Sequence, residues 1–98
     1  MSEDFSMELK QIEKISKALG DVNRLKILHY MHNHKGQMEC MEIGNILNLA
    51  QPSISHHIKK LIESGLIEPH KEGRYYSYKI NTTLWEEFQE AIKSFTKA

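Results

Sequence analysis

Residues 39–65, ECMEIGNILNLAQPSISHHIKKLIESG, hold two apolar series of helical period separated by a short break. In the first, about 39–47, Cys40, Ile43, Ile46 and Leu47 recur at helical spacing, which predicts a short helix with those side chains inward. Asn48-Leu49-Ala50 follows as a tight connection. Gln51-Pro52-Ser53 opens a second helix, expected over about 52–64. Proline suits a first turn because the N–H it lacks has no intrahelical partner there. Ile54, Ile58, Leu61 and Ile62 form the inner face. Ser64-Gly65 stops the helix, with Gly65 as the left-handed C-terminal residue and Leu66 as the apolar residue that follows such a stop.

Upstream, two further helices are expected. In about 4–19, Phe5, Leu9, Ile12, Ser16 and Leu19 fall on one stripe, and Gly20 closes the segment. Asp21 reads as the N-cap of a helix over about 22–33, with Leu25, Ile27, Leu28 and Met31 buried. Downstream, the period changes to about two. Leu66 to Lys71 is a strand candidate, Glu72-Gly73 a turn, and Arg74 to Ile80 the return strand, with Tyr76, Tyr78 and Ile80 on one face. Pro69 cannot donate to a ladder, which makes the first strand an edge. Thr83-Leu84-Trp85-Glu86 has the capping-box pattern, and Trp85, Phe88, Ile92 and Phe95 run down the helix that follows, about 83–96. The expected order is α-α-α-α-β-β-α, mainly α with a small β-hairpin.

A chain of 98 residues makes one domain, 1–98. Its hydrophobic content of 40% and charged content of 27% suit a folded soluble protein. No apolar run approaches the roughly 18 residues of a membrane span, and the acidic opening leads into no secretory signal. The single cysteine fits a reducing compartment, so the expected location is cytoplasmic, with no membrane partner. Thirteen Lys and Arg balance thirteen Asp and Glu. Residues 51–80 nevertheless hold five cations (Lys59, Lys60, Lys71, Arg74, Lys79) against three carboxylates (Glu63, Glu68, Glu72), and no other stretch has an excess. There is no nucleophile with a base at a known spacing, no glycine-rich phosphate loop and no obvious acid pair, so an enzyme is not expected, and no cofactor is implied.

Two short helices joined by a tight turn have the shape of a helix-turn-helix, and the hairpin after them reads as a wing. Gln51, Ser53, Ser55, His56, Lys59 and Lys60 lie away from the apolar face of the second helix. These residue types hydrogen-bond base edges and phosphates, and a recognition helix presents its N-terminal half to the major groove. Arg74, at the wing, can reach a neighbouring phosphate. The terminal helices carry more apolar surface than a domain this small covers alone. Phe5, Leu9, Ile12, Trp85, Phe88, Ile92 and Phe95 are therefore the expected dimerisation set.

Ala18 to Leu28 resembles the opening signature AL-x-D-x-x-R-L-x-IL of the ArsR/SmtB winged-helix repressors, and Leu49 to Leu61 is similar to their recognition helix. Ser64-Gly65-Leu66-Ile67 and Gly73-Arg74-Tyr75-Tyr76-Ser77-Tyr78 look like the segments that follow, so the resemblance spans about residues 15–80 in order. It implies a homodimeric repressor on palindromic operator DNA, released by a metal or another signal. It also assigns base or phosphate contacts to Gln51, Ser53, Ser55 and His56, with Arg74 on the wing.

The family's sensory motifs are not retained. Aligning the acid of its Cys-x-Cys-Asp to Glu42 puts Glu39 and Met41 where two thiolates belong, with Cys40 between them. A lone thiolate is a poor soft-metal site. Residues 82–98 lack the histidines of the zinc type. Cys40 stays open as a core thiol or a sensory one. His29, His32 and His34 are candidate metal ligands, because His29 and His32 lie one turn apart, although a solvated helix end also favours histidine. Two alternatives to the DNA-binding repressor therefore stand: a winged-helix module that binds protein, and a metal sensor built on these three histidines. The effector is not located.

Overall fold

The computed structural model of the chain describes residues 7–97. Two helices come first, α1 (Leu9–Leu19) and α2 (Val22–Asn33), then a strand β1 (Gln37–Glu39). A 3₁₀ turn, Cys40–Glu42, leads into α3 (Ile43–Ile46) and the long α4 (Gln51–Ser64). Strands β2 (Ile67–Glu72) and β3 (Tyr75–Ile80) form the hairpin, and α5 (Thr82–Lys93) runs into a last 3₁₀ turn, Ser94–Thr96. The sheet is antiparallel in the order β1-β3-β2.

The punctuation of the sequence sets the element ends. Asp21 caps α2 by accepting from the N–H groups of Asn23 (2.8 Å) and Arg24 (3.3 Å), and the helix runs over the expected residues. At the end of α4, Gly65 has φ +87°, a conformation in which a Cβ is strained. Leu66 follows it fully buried. Ile15, Ile27, Met31, Met38, Leu61, Leu66 and Ile67 are the largest fully enclosed side chains and tie α1, α2, α4 and the sheet into one core.

Several expectations need correction. The helix expected over 39–47 is a strand end, a 3₁₀ turn and a single α-turn, because Gln37–Glu39 pairs with β3, setting Met38 opposite Tyr78. The change of winding rotates Cys40 to the exterior, so it is not a core thiol, while Ile43 and Leu47 stay buried and Ile46 is partly buried. In α1 the buried positions are Ile12, Ile15 and Ala18. Leu9 and Ser16, on the expected stripe, face outward, and Phe5 lies outside the described residues. Leu25 is also exposed.

Glu72 pairs with Tyr75, so the hairpin turn is Gly73-Arg74, one residue later than expected, with Gly73 at φ +60°. Tyr78 is buried as expected, but Tyr76 beside it is largely exposed. β2 is an edge strand, as Pro69 requires. The cap of α5 is Asn81, whose side chain accepts from the Leu84 N–H at 3.1 Å, which leaves Thr83 inside the first turn. The inward face of α5 is Leu84, Phe88 and Ala91. Trp85 is partly buried, and Ile92 and Phe95 are exposed.

Candidate nucleic-acid interface

Helix α4 has one side in the core, through Ile54, His57, Ile58 and Leu61, and the other in solvent. Gln51, Ser53, Ser55, His56, Lys59 and Lys60 are all exposed. The structure thus brings the six α4 residues expected to meet DNA onto the open side of one helix. Its N-terminus is capped by no side chain, and Ser53 and Ile54 return their N–H groups to the Ala50 carbonyl. Gln51 Nε2 donates weakly to Ser55 Oγ at 3.4 Å, which leaves most of the hydrogen-bonding capacity of both free. Arg74 is exposed at the hairpin tip, beside Tyr75, which is also exposed.

Sequence reasoning missed what holds this helix in place. Arg24 donates from Nε to the Ala18 carbonyl (2.7 Å) and from Nη2 to the Lys17 carbonyl (3.3 Å), the last turn of α1. Its Nη1 lies 3.1 Å from Nδ1 of His57. The guanidinium has only donors, so Nδ1 of His57 is the acceptor. One side chain of α2 thereby fastens α1 to the buried side of α4. Asp21 Oδ1 lies 3.9 Å from the same imidazole nitrogen. Partial burial pushes the Asp21 carboxyl up, but the N–H groups of Asn23 and Arg24 and the neighbouring His57 and Arg24 outweigh it and hold the carboxyl below its usual range. The signal was in the sequence, as an aspartate three residues before an arginine at a helix start, but the partner on α4 is 33 residues away.

The approach to α4 is fixed by a second polar lock. Glu42 accepts from the Tyr30 hydroxyl and, at 2.8 Å, from the Glu39 N–H, closing the 3₁₀ turn as a capping box. The Tyr30 hydroxyl and the Glu39 N–H together hold the Glu42 carboxyl low. Tyr78 donates to the Cys40 sulfur at 3.9 Å, and burial together with that thiol pushes its phenol up to about 12.

The three candidate metal ligands do not converge. His29 and His32 border a groove between α2 and the start of α5, whereas His34 stacks on Tyr30 with ring centroids 3.8 Å apart. Among the described residues no three His, Cys, Asp or Glu side chains come together as a metal site. Nor is any helix there long and apolar enough to cross a membrane.

The one-turn α3, a tight connection, the long α4 with its polar side free, and a hairpin beside them define a winged helix-turn-helix protein. Residues 21–68 match the family described as bacterial regulatory protein, arsR family. The transcriptional repressor SdpR of Bacillus subtilis is 33% identical over 76 residues, which are 78% of this chain and 82% of SdpR. The crystal structure of an ArsR family transcriptional regulator superimposes with a TM-score of 0.77 at 26% identity, over 90% of this chain and 89% of that one. A winged helix-turn-helix domain from Mycobacterium bovis, described as homodimeric and DNA-binding, does so with a TM-score of 0.68 at 24% identity, over 88% and 79%. The chain belongs to the ArsR family, and it is a DNA-binding transcriptional regulator of the winged helix-turn-helix type.

Proposed function

We propose that the chain represses transcription as a homodimer bound to a palindromic operator in the cytoplasm. The observation that carries this reading is the open side of α4, six polar or cationic side chains long, flanked by a cationic hairpin tip. Gln51, Ser53, Ser55 and His56 enter the major groove, and Lys59, Lys60 and Arg74 hold phosphates. Support for two copies comes from the terminal helices. Leu9 is 71% exposed, Phe95 60% and Ile92 38%, an apolar surface that a partner's equivalent helices would cover. Trp85 is partly buried, while Ile12 and Phe88 lie in the protomer's own core. SdpR supports repression, and the homodimeric Mycobacterium bovis domain supports pairing. Pairing also compensates for the zero net charge, since two recognition helices about one DNA turn apart double the phosphate contacts.

The test is an anisotropy titration against the DNA upstream of the chain's own gene, at two salt concentrations, with a scrambled duplex beside it. Binding that weakens steeply with salt and prefers the native duplex is expected. Gln51→Ala should lose about 1–3 kcal/mol of that preference. Absent or salt-independent binding would move the chain to the protein-binding alternative.

A further inference from the structure

A second basic surface extends beyond the segment in which the sequence concentrates positive charge. Lys10, Lys14 and Lys17 follow one another at steps of four and three, so they share a face of α1. Folding packs the last turn of α1 beside α4. There Lys14, Lys17, Ala18, Arg24, Lys60 and Glu63 line a hollow of about 280 Å³, four cations against one carboxylate. Arg24 is anchored by the Ala18 and Lys17 carbonyls and by His57, three of its five N–H donors, so its charge is held in place beside the hollow. Lys17 has an exposed pairing with Glu13 at 3.7 Å, a contact worth about 0–1 kcal/mol that a phosphate can displace.

We propose that Lys14 and Lys17 of α1, together with Lys60 of α4, form a clamp for the phosphate backbone of duplex DNA at the edge of the groove that α4 enters. The proposal rests on the DNA-binding reading above and extends its footprint to a helix assigned so far to pairing. The geometry runs along α4. Ser53, His56 and Lys60 are three and four residues apart and so form one stripe of its open side. Lys60 lies about 10 Å up the axis from Ser53. With the N-terminal end of α4 in the groove, Ser53 is the nearer of the two to the base edges and Lys60 the nearer to the groove's edge, and the hollow continues the cationic surface to Lys17 and Lys14. The small net excess of residues 51–80 is enlarged by lysines from a helix whose own stretch of sequence has no positive excess.

The experiment measures affinity for the native and scrambled duplexes over a salt series, for the full chain and for Lys14→Gln/Lys17→Gln. Each phosphate contact contributes about 0.9 to the slope of log K against log salt, so the double variant should lose about two to four from that slope. Its preference between duplexes should stay unchanged, because phosphate contacts carry no sequence information. Glu63→Gln, which removes the carboxylate from the hollow, should tighten binding to both duplexes alike. All three replaced side chains are exposed, so the fold tolerates the changes. If the wild-type chain binds but the double variant matches it in affinity and slope, the clamp is refuted and the recognition helix stands. If the wild-type chain binds no duplex, the proposed function fails and the clamp falls with it.

Discussion

Removing the Arg24 guanidinium tests whether one side chain holds the recognition helix to the rest of the protein. Arg24→Ala deletes three hydrogen bonds at once, to the Ala18 and Lys17 carbonyls and to His57 Nδ1. Their costs differ. The two carbonyls end α1 and take water readily, so each loss is about 0.5–1.5 kcal/mol. His57 is only 8% exposed, and an acceptor left without a donor there costs about 1–3 kcal/mol. The expected destabilisation is about 2–6 kcal/mol, a large share of the roughly 5–15 kcal/mol that holds a small domain folded. Urea unfolding followed by the fluorescence of the single tryptophan measures it, at fixed protein concentration because association adds to apparent stability. Arg24→Lys should recover no more than part of the loss, since an ammonium lacks the planar fork that spans three acceptors. A loss below about 0.5 kcal/mol in Arg24→Ala, or full recovery in Arg24→Lys, would refute the reasoning.

Three further substitutions have expected outcomes, one at Asp21 and two at glycines. The Asp21 carboxyl is held below its ordinary range when folded, so the stability it adds is complete above the unfolded value near 3.9 and is lost as pH falls through the folded one. Asp21→Asn keeps a cap, and its urea midpoint should fall less steeply than the wild-type midpoint from pH 5 downward; parallel curves would show that the carboxylate is not stabilised by the fold. Gly65→Ala should destabilise by about 1–2 kcal/mol, because φ +87° disfavours any Cβ and the added atom would lie 3.0 Å from Leu84. Gly44→Ala, in α3 with nothing near its Cβ, should be neutral or gain up to about 1 kcal/mol, and thermal melts of the pair give the contrast.

The parts of the fold legible in the sequence are those written in local chemistry. Asp21, Pro52, Gly65 and Gly73 each satisfy a backbone need within a few residues, and the elements they delimit lie at or within a residue of where they mark them. The recognition surface was legible for the same reason: on a helix, periodicity alone separates Ile54, Ile58 and Leu61 from Gln51, Ser55 and Lys59. What stayed hidden depends on partners far along the chain. The three residues of β1 are too few for a period, and they become a strand only because β3 offers a free edge. Missing them put Cys40 on the wrong side. In α1 the expected stripe holds at Ile12, but packing against the rest of the protein buries Ile15 and Ala18 and leaves Leu9 and Ser16 outside. The Arg24–His57 contact and the lysine hollow are likewise products of folding.

The pairing of β1 with β3 also orders events in time. Gln37–Glu39 has its sheet partner at Ser77–Lys79, forty residues further on. While the chain is being made, α1, α2 and α4 can each wind as they emerge, but the short strand before the recognition helix waits for the hairpin's return leg. Closing so long a loop is slower than winding a helix, so the nascent DNA-reading segment exists before the brace that aims it. A chain cut off before Ser77 would have α1, α2 and α4 without that brace.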